Sequence, residues 1–262
     1  MGDSVGSAGS QPRPPTPSLL NLTIEELGPL LTHVGYGNPS GKLWFLGMEE
    51  RMQGEAQEHL RWRLQCLHHP TDTITHMLQA LLLQVLPSSA LSHPTPTWRT
   101  MAKLTRLLVD HADDWADGGK AKDYVARYLG SETGSTFLLE LLPLPAASLS
   151  DFPFTYLWRT KREYMDECLP YRTRLLRDFA AQHRPATIFC YGKGFWQHYR
   201  DTFPTMDVRT YTFPGRKTRV TVEVGRWEGS TVVLTPFFAP FLLPIRVMAP
   251  FPRLLNERLR ST

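Results

Sequence analysis

The stretch Lys42-Leu43-Trp44-Phe45-Leu46-Gly47-Met48-Glu49-Glu50 decides how this chain is read. Its apolar run is continuous rather than alternating, the pattern of a strand covered on both faces of a parallel sheet. The run meets a glycine and then two carboxylates. In open α/β sheets, ligands bind just beyond the carboxyl ends of strands, which makes Glu49 and Glu50 candidate catalytic acids. The same pair also suits a helix N-terminus, where acids complement the macrodipole. Both readings stand on this segment alone.

Two further runs share that character. Thr136-Phe137-Leu138-Leu139-Glu140-Leu141-Leu142 reads as a second buried strand carrying one acid, with a proline-rich loop after it at Pro143-Leu144-Pro145. Thr187-Ile188-Phe189-Cys190-Tyr191-Gly192 reads as a third, and Gly192-Lys193-Gly194 then turns into a helix from about Phe195 to Tyr199. Val220, Val222 and Val224 alternate with Thr221 and Glu223, which predicts a half-exposed strand. A hairpin-like loop, Gly225–Gly229, leads to a last core strand over Thr231–Thr235.

Helical spacing separates these runs. Thr23–Thr32 is a first helix, with Thr23 as N-cap and Glu26 completing a capping box. Ile74, Met77, Leu78, Leu81, Leu82 and Val85 mark a second, capped by Thr71 or Asp72 and stopped by Pro87. Trp98, Met101, Leu104, Leu107 and Leu108 mark a third. Arg99, Lys103 and Arg106 lie on its other side, as a solvated face or a nucleic-acid contact. Tyr171–His183 and a basic segment after Pro252 complete the set. Strands alternating with helices imply a mostly parallel sheet between helical layers. The expected fold is one three-layer α/β/α domain over residues 19–262, preceded by a disordered tail at Met1–Ser18.

Composition narrows the function classes. Of 262 residues, 42% are hydrophobic, enough for a core and too many for wholesale disorder. A net charge of +4 is compatible with an anionic partner without requiring one. The three cysteines, Cys66, Cys168 and Cys190, are too sparse for a zinc ribbon, an iron–sulfur cluster or a disulfide scaffold. Met1–Ser18 lacks the apolar core of a secretory signal. The greasiest stretch, Thr231–Pro250, is broken by four prolines and holds Arg246, which disqualifies it as a membrane helix. These features predict a cytoplasmic protein, without membrane contact, metal or cofactor, and monomeric.

The strand ends at Glu49/Glu50, after Glu140 and after Thr235 can converge on one crevice. The third is followed by Pro236-Phe237-Phe238-Ala239-Pro240-Phe241-Leu242-Leu243-Pro244, an apolar prow stiffened by prolines. It reads either as a buried crossover or as a wedge of the kind that unstacks base pairs. Enzymes that act on a base must first flip it out of the duplex. Gly192-Lys193-Gly194 lacks the P-loop and Rossmann spacings, and there is no G-x-S-x-G elbow. His68, His69 and His76 lack zinc-ligand spacing and read as surface residues. His59, near the first acid loop, is a candidate to assist.

This pattern resembles the uracil-DNA glycosylase superfamily. Leu46-Gly47-Met48-Glu49-Glu50 falls on that family's water-activating loop, Phe137-Leu138-Leu139-Glu140 on the strand ending in its base-reading asparagine, and Thr235-Pro236-Phe237-Phe238-Ala239-Pro240 on its wedge loop. The resemblance spans about Lys42 to Arg260. Glutamate replaces the asparagine at position 140, and Thr235 replaces the motif histidine. A divergent branch acting in bacterial defence against phage, which excises glucosylated hydroxymethylcytosine, is the nearer likeness.

The resemblance implies a monofunctional DNA glycosylase that acts on double-stranded DNA carrying a modified cytosine and leaves an abasic site. Glu49 or Glu50 would stabilise the oxocarbenium-like sugar and orient water. Glu140 would accept a hydrogen bond from an exocyclic amine, which disfavours uracil, or else serve as a structural acid paired with a neighbouring arginine. Phe154 and Tyr156, with Phe152 and Trp158, would stack on the base or sugar, or else pack in the core. Thr235, Phe237 and Phe238 would meet the duplex, and Lys193, Arg216 and Lys217 would meet phosphates. No lysine stands out as a nucleophile. The competing expectations are a catalytically silent DNA- or nucleotide-binding module on the same scaffold and a hydrolase of small nucleotides.

Overall fold

The computed structural model describes residues 21–52, 55–67, 94–148, 150–215, 219–239 and 242–259. The expectations for Met1–Ser18, for the Ile74–Val85 helix with its Thr71 or Asp72 cap, for His68, His69 and His76, and for Arg216, Lys217, Pro240 and Phe241 lie outside these residues.

Seven strands form one sheet: β1 (Gly35–Gly37), β2 (Leu43–Arg51), β3 (Thr136–Ala146), β4 (Thr187–Tyr191), β5 (Met206–Phe213), β6 (Val220–Trp227) and β7 (Ser230–Thr235). Their spatial order is β1-β3-β2-β4-β7-β6-β5. The central strands β3, β2, β4 and β7 are parallel. β1 pairs antiparallel with β3 on one side; on the other, β6 pairs antiparallel with β7, and β5 antiparallel with β6. The helices are α1 (Ile24–Thr32), α2 (Ala56–Cys66), α3 (Pro96–Leu108), α4 (Gly118–Arg127), α5 (Lys161–His183), α6 (Trp196–Thr202), α7 (Ile245–Met248) and α8 (Phe251–Leu259).

The continuous apolar runs are explained by two cores, one on each face. Leu43 and Phe45 join Met101 and Leu104 of α3, Val125 of α4 and Phe251 of α8. Trp44 and Leu46 point the other way, to Leu27 and Leu30 of α1, Leu176 of α5 and Tyr199 of α6. A strand covered on both sides cannot alternate. The half-exposed reading of β6 also holds: Val220, Val222 and Val224 are buried, and Thr221 and Glu223 are partly exposed.

The connection from β2 to β3 passes α2, which touches both cores, and then the α3–α4 layer, whereas β4 is followed by α6 in the opposite layer. Adjacent parallel strands whose connections depart to opposite faces define a topological switch point, and the crevice beyond their carboxyl ends is where such sheets bind ligands.

Local signals work as expected at α1. The Thr23 hydroxyl accepts from Glu26 N, and the Glu26 carboxylate accepts from Thr23 N at 2.7 Å. Three expectations are revised. β2 does not stop at Gly47 but runs to Arg51, so Glu49 and Glu50 belong to a strand and not to a helix N-terminus. Pro143-Leu144-Pro145 is not a loop but part of β3. From the Glu49–Leu142 pair to the Arg51–Ala146 pair, β2 advances two residues and β3 four, and that irregularity accommodates prolines lacking an N–H. α5 starts at Lys161 rather than Tyr171 and runs through Pro170, with Thr160 capping it through Glu163 N. Among the described residues, no helix is long and apolar enough to cross a membrane.

Candidate active site at the carboxyl edge of the sheet

Register brings the acids together. Gly47 of β2 pairs with Glu140 of β3, and the Glu140 carboxyl occupies the space beside Gly47. A β-carbon at position 47 would overlap Glu140 Oε2 and the Tyr191 hydroxyl. Tyr191, the last residue of β4, donates from its hydroxyl to Glu140 Oε1 at 3.3 Å. Glu140 Oε2 is out of contact with solvent and has no hydrogen-bond partner among the described residues. A buried polar atom of this kind is costly and calls for a functional reason.

Glu50 turns inward from the end of β2. Its Oε2 accepts from the Tyr36 hydroxyl at 3.3 Å and lies 3.3 Å from Arg63 Nη1. Arg63 Nη2 also donates to the Tyr36 hydroxyl at 2.9 Å, and Nη1 to Pro143 O at 3.2 Å. His59 of α2 is buried, with Nε2 4.0 Å from Glu50 Oε1. Burial raises the Glu140 carboxyl, the Glu50 charge raises it further, and the group is pushed up to about 8 despite the opposing Tyr191 hydrogen bond and Arg63 charge. At neutral pH Glu140 is therefore mostly protonated.

Glu49 has a different environment. Its Oε1 accepts from Lys161 Nζ at 2.7 Å, and its side chain is only 6% exposed. Burial raises its pKa, Lys161 opposes the rise, and Asp151 adds to it. Lys161 opens α5, so helix capping at Thr160 and strand register at Glu49 jointly set this ion pair.

A buried cation steadies the platform. Arg172 of α5 donates to Glu140 O at 2.7 Å, Leu141 O at 3.3 Å and His33 O at 2.7 Å. It thereby joins α5 to β3 and to the C-terminus of α1. Burial lowers it to about 10, so it keeps its charge at neutral pH. Arg172 also lines, with Glu50, Arg63 and Glu140, a cavity of about 10 Å³. That volume has the size of one water.

The β7 end closes the group. Thr235 O accepts from Gly192 N at 3.1 Å and Trp196 Nε1 at 3.0 Å, tying the prow loop to the turn after β4. Phe238 stacks on Tyr191 with ring centroids 4.5 Å apart and is fully buried. Phe237 lies 5.8 Å from the same ring and is 37% exposed. Lys193 is exposed, with Nζ 5.9 Å from the Trp196 ring.

Several sequence-derived roles change accordingly. Phe238 and Thr235 are buried, and among the described residues of the prow Phe237 is the exposed aromatic. Phe154 is buried in the α5-side core and Trp158 donates to Glu167 Oε2 at 2.8 Å, so both serve packing. Phe152 stacks on Tyr164 at 5.5 Å. Tyr156 is half-buried beside Gln57. Of the three basic residues on α3, Arg106 is buried and pairs with Asp114.

Sequence reasoning missed Lys161, Tyr191, Arg63 and Asp151. Thr160-x-x-Glu163 was a readable helix start that would have placed Lys161 on the first turn of α5. Arg63 carried no local signal.

Among the described residues, no cluster of His, Cys, Asp or Glu is arranged to hold a metal ion. No family model matches the chain, and no curated protein matches it.

Proposed function

We propose that this protein is a DNA glycosylase of the uracil-DNA glycosylase type, hydrolysing the N-glycosidic bond of a base flipped from DNA. The observation that carries the reading is the gathering of Glu49, Glu50, Glu140 and Tyr191, with Phe237 close by, at the carboxyl edge of the parallel strands. In this reading the C1′–N bond breaks with its electron pair leaving on the base, positive charge develops on the deoxyribose, and water adds to C1′ while its proton passes to the departing base. Glu49 is the carboxylate facing the sugar, paired with Lys161. Glu50, committed to Arg63 and Tyr36, supports Glu140 instead of reacting.

Glu140 reads the base. As a protonated acid it offers one O–H donor and one C=O acceptor. That is the hydrogen-bonding pattern of the amide it replaces in the family motif. A neutral Glu140 can therefore meet a base carbonyl as well as an amine, and the expectation that position 140 disfavours uracil no longer follows. The substrate class widens from DNA with a modified cytosine to DNA with a modified or deaminated pyrimidine, and the product remains an abasic site.

The test is incubation with duplexes containing uracil, hydroxymethylcytosine or glucosylated hydroxymethylcytosine, followed by alkali. Strand breaks that fall about 10²–10³-fold in Glu49→Gln support the reading. DNA retention without base release from any of them supports the second reading, a catalytically silent DNA-binding module. One observation favours that alternative: both strand-end carboxylates are already engaged by cations.

A further inference from the structure

A cavity of about 540 Å³ lies beside α3 and the prow loop, in the volume range of small-ligand sites. Leu243, Ile245 and Met248 supply apolar wall, and Arg99, Lys103 and Arg246 supply the charge. No acidic side chain lines it among the described residues. Asp117 acts on Lys103 from nearby, but its carboxylate already accepts from Lys120 N at 2.7 Å as the cap of α4.

Arg99 and Lys103 are four residues apart on α3 and share a helix face, where like charges repel. Burial and Arg99 both make the Lys103 ammonium easier to deprotonate. Arg99 Nε is out of solvent contact and has no hydrogen-bond partner among the described residues. A donor in that state lacks an acceptor, and a cation pair in that state lacks an anion. Arg246 donates Nε to Pro214 O at 3.0 Å, which sets its guanidinium at the rim.

The cavity adjoins the two ends of the prow loop. Thr97 of α3 donates from Oγ1 to Phe238 O at 3.4 Å, and the loop that carries Phe237 ends in the cavity wall at Leu243 and Pro244.

We propose that this cavity is a nucleotide subsite, with Arg99, Lys103 and Arg246 taking the phosphate and the apolar wall taking the sugar or base. An aliphatic wall with a cationic rim suits a ligand that is apolar at one end and anionic at the other. The source is either a strand that runs past Phe237 or a free nucleotide. Only the first rests on the DNA reading.

The full chain is titrated with a labelled single-stranded 12-mer by anisotropy, and with deoxyadenosine monophosphate by calorimetry. In Arg99→Gln/Arg246→Gln, strand affinity should fall about tenfold or more, and the salt dependence should flatten by about 0.7 per lost phosphate contact. Lys103→Arg should bind like the parent. An unfolding midpoint matching the parent excludes misfolding as the cause. Loss of strand binding alone assigns the cavity to polynucleotide, and loss of both ligands assigns it to nucleotides in either form. Unchanged affinity and unchanged salt slope in the double variant overturn the proposal. Cavity-dependent binding in a protein that releases no base overturns the glycosylase reading and leaves the subsite standing. Base release with cavity-independent binding does the reverse.

Discussion

Gly47 and Glu140 face each other across the β2–β3 ladder, and the carboxyl of one fills the space left by the missing side chain of the other. The glycine that seemed only to mark a strand end is what lets a protonated acid sit beside Tyr191. Gly47→Ala should destabilise the protein by about 1–3 kcal/mol through overpacking. Glu140→Ala should relieve part of that cost, so urea unfolding of the two single variants and the double variant should give a coupling energy in the range of about 0.5–3 kcal/mol. Additive effects would show that the two residues do not compete for space.

Glu140 also sets a pH dependence. Its native pKa lies near 8 against an ordinary 4.5, so between these values the native state holds a proton that the unfolded chain has lost. Its contribution to stability is fully present below the unfolded value and is lost as pH rises through the native one. The slope reaches at most about 1.4 kcal/mol per pH unit. Glu49, also raised by burial, acts with the same sign. Urea midpoints measured from pH 5 to 8 should fall more steeply for the parent than for Glu140→Gln.

The Lys161–Glu49 pair predicts a kinetic signature. Lys161 holds down a carboxyl that burial raises. Removing the ammonium with Lys161→Met should move the acidic limb of the pH–rate profile for base release to higher pH, with less loss of rate on the alkaline side of that limb. An unshifted limb would mean that Glu49 is not the titrating group.

Phe237 and Phe238 are adjacent in sequence and opposite in role. Phe238→Ala should cost about 3–5 kcal/mol, because the ring is buried between Phe45 and Tyr191. Phe237→Ala should change stability by about 1 kcal/mol or less. It should slow base release from duplex more than from single strands, where no base needs displacing. Parallel unfolding and excision assays separate the two.

The parts of the fold legible in advance were those with a strong local signal. Leu43–Leu46, Phe137–Leu139 and Ile188–Cys190 are continuous apolar runs, and each became a central parallel strand. β5 escaped because it is an edge strand of mostly exposed residues with no apolar rhythm. The first part of α5 escaped because Pro170 reads as a stop, although the helix continues through it. Arg63, which holds Glu50 and Tyr36, sits in a helix of low amphipathic contrast, and its partners lie 13 and 27 residues away in sequence.

The amino-acid order alone determined that acids would follow the apolar runs, because burial pattern and strand period are local properties of the chain. It also determined the capped start of α1, since a capping box closes within three residues. Only the tertiary structure decided which carboxylate meets which cation, that Glu140 rests against Gly47 and Tyr191, and that Phe238 is core while Phe237 is surface. Those outcomes depend on strand order and register between segments that can lie more than a hundred residues apart. Long-range pairing of that kind, and the desolvation it imposes on a carboxyl, is written in no single stretch of sequence.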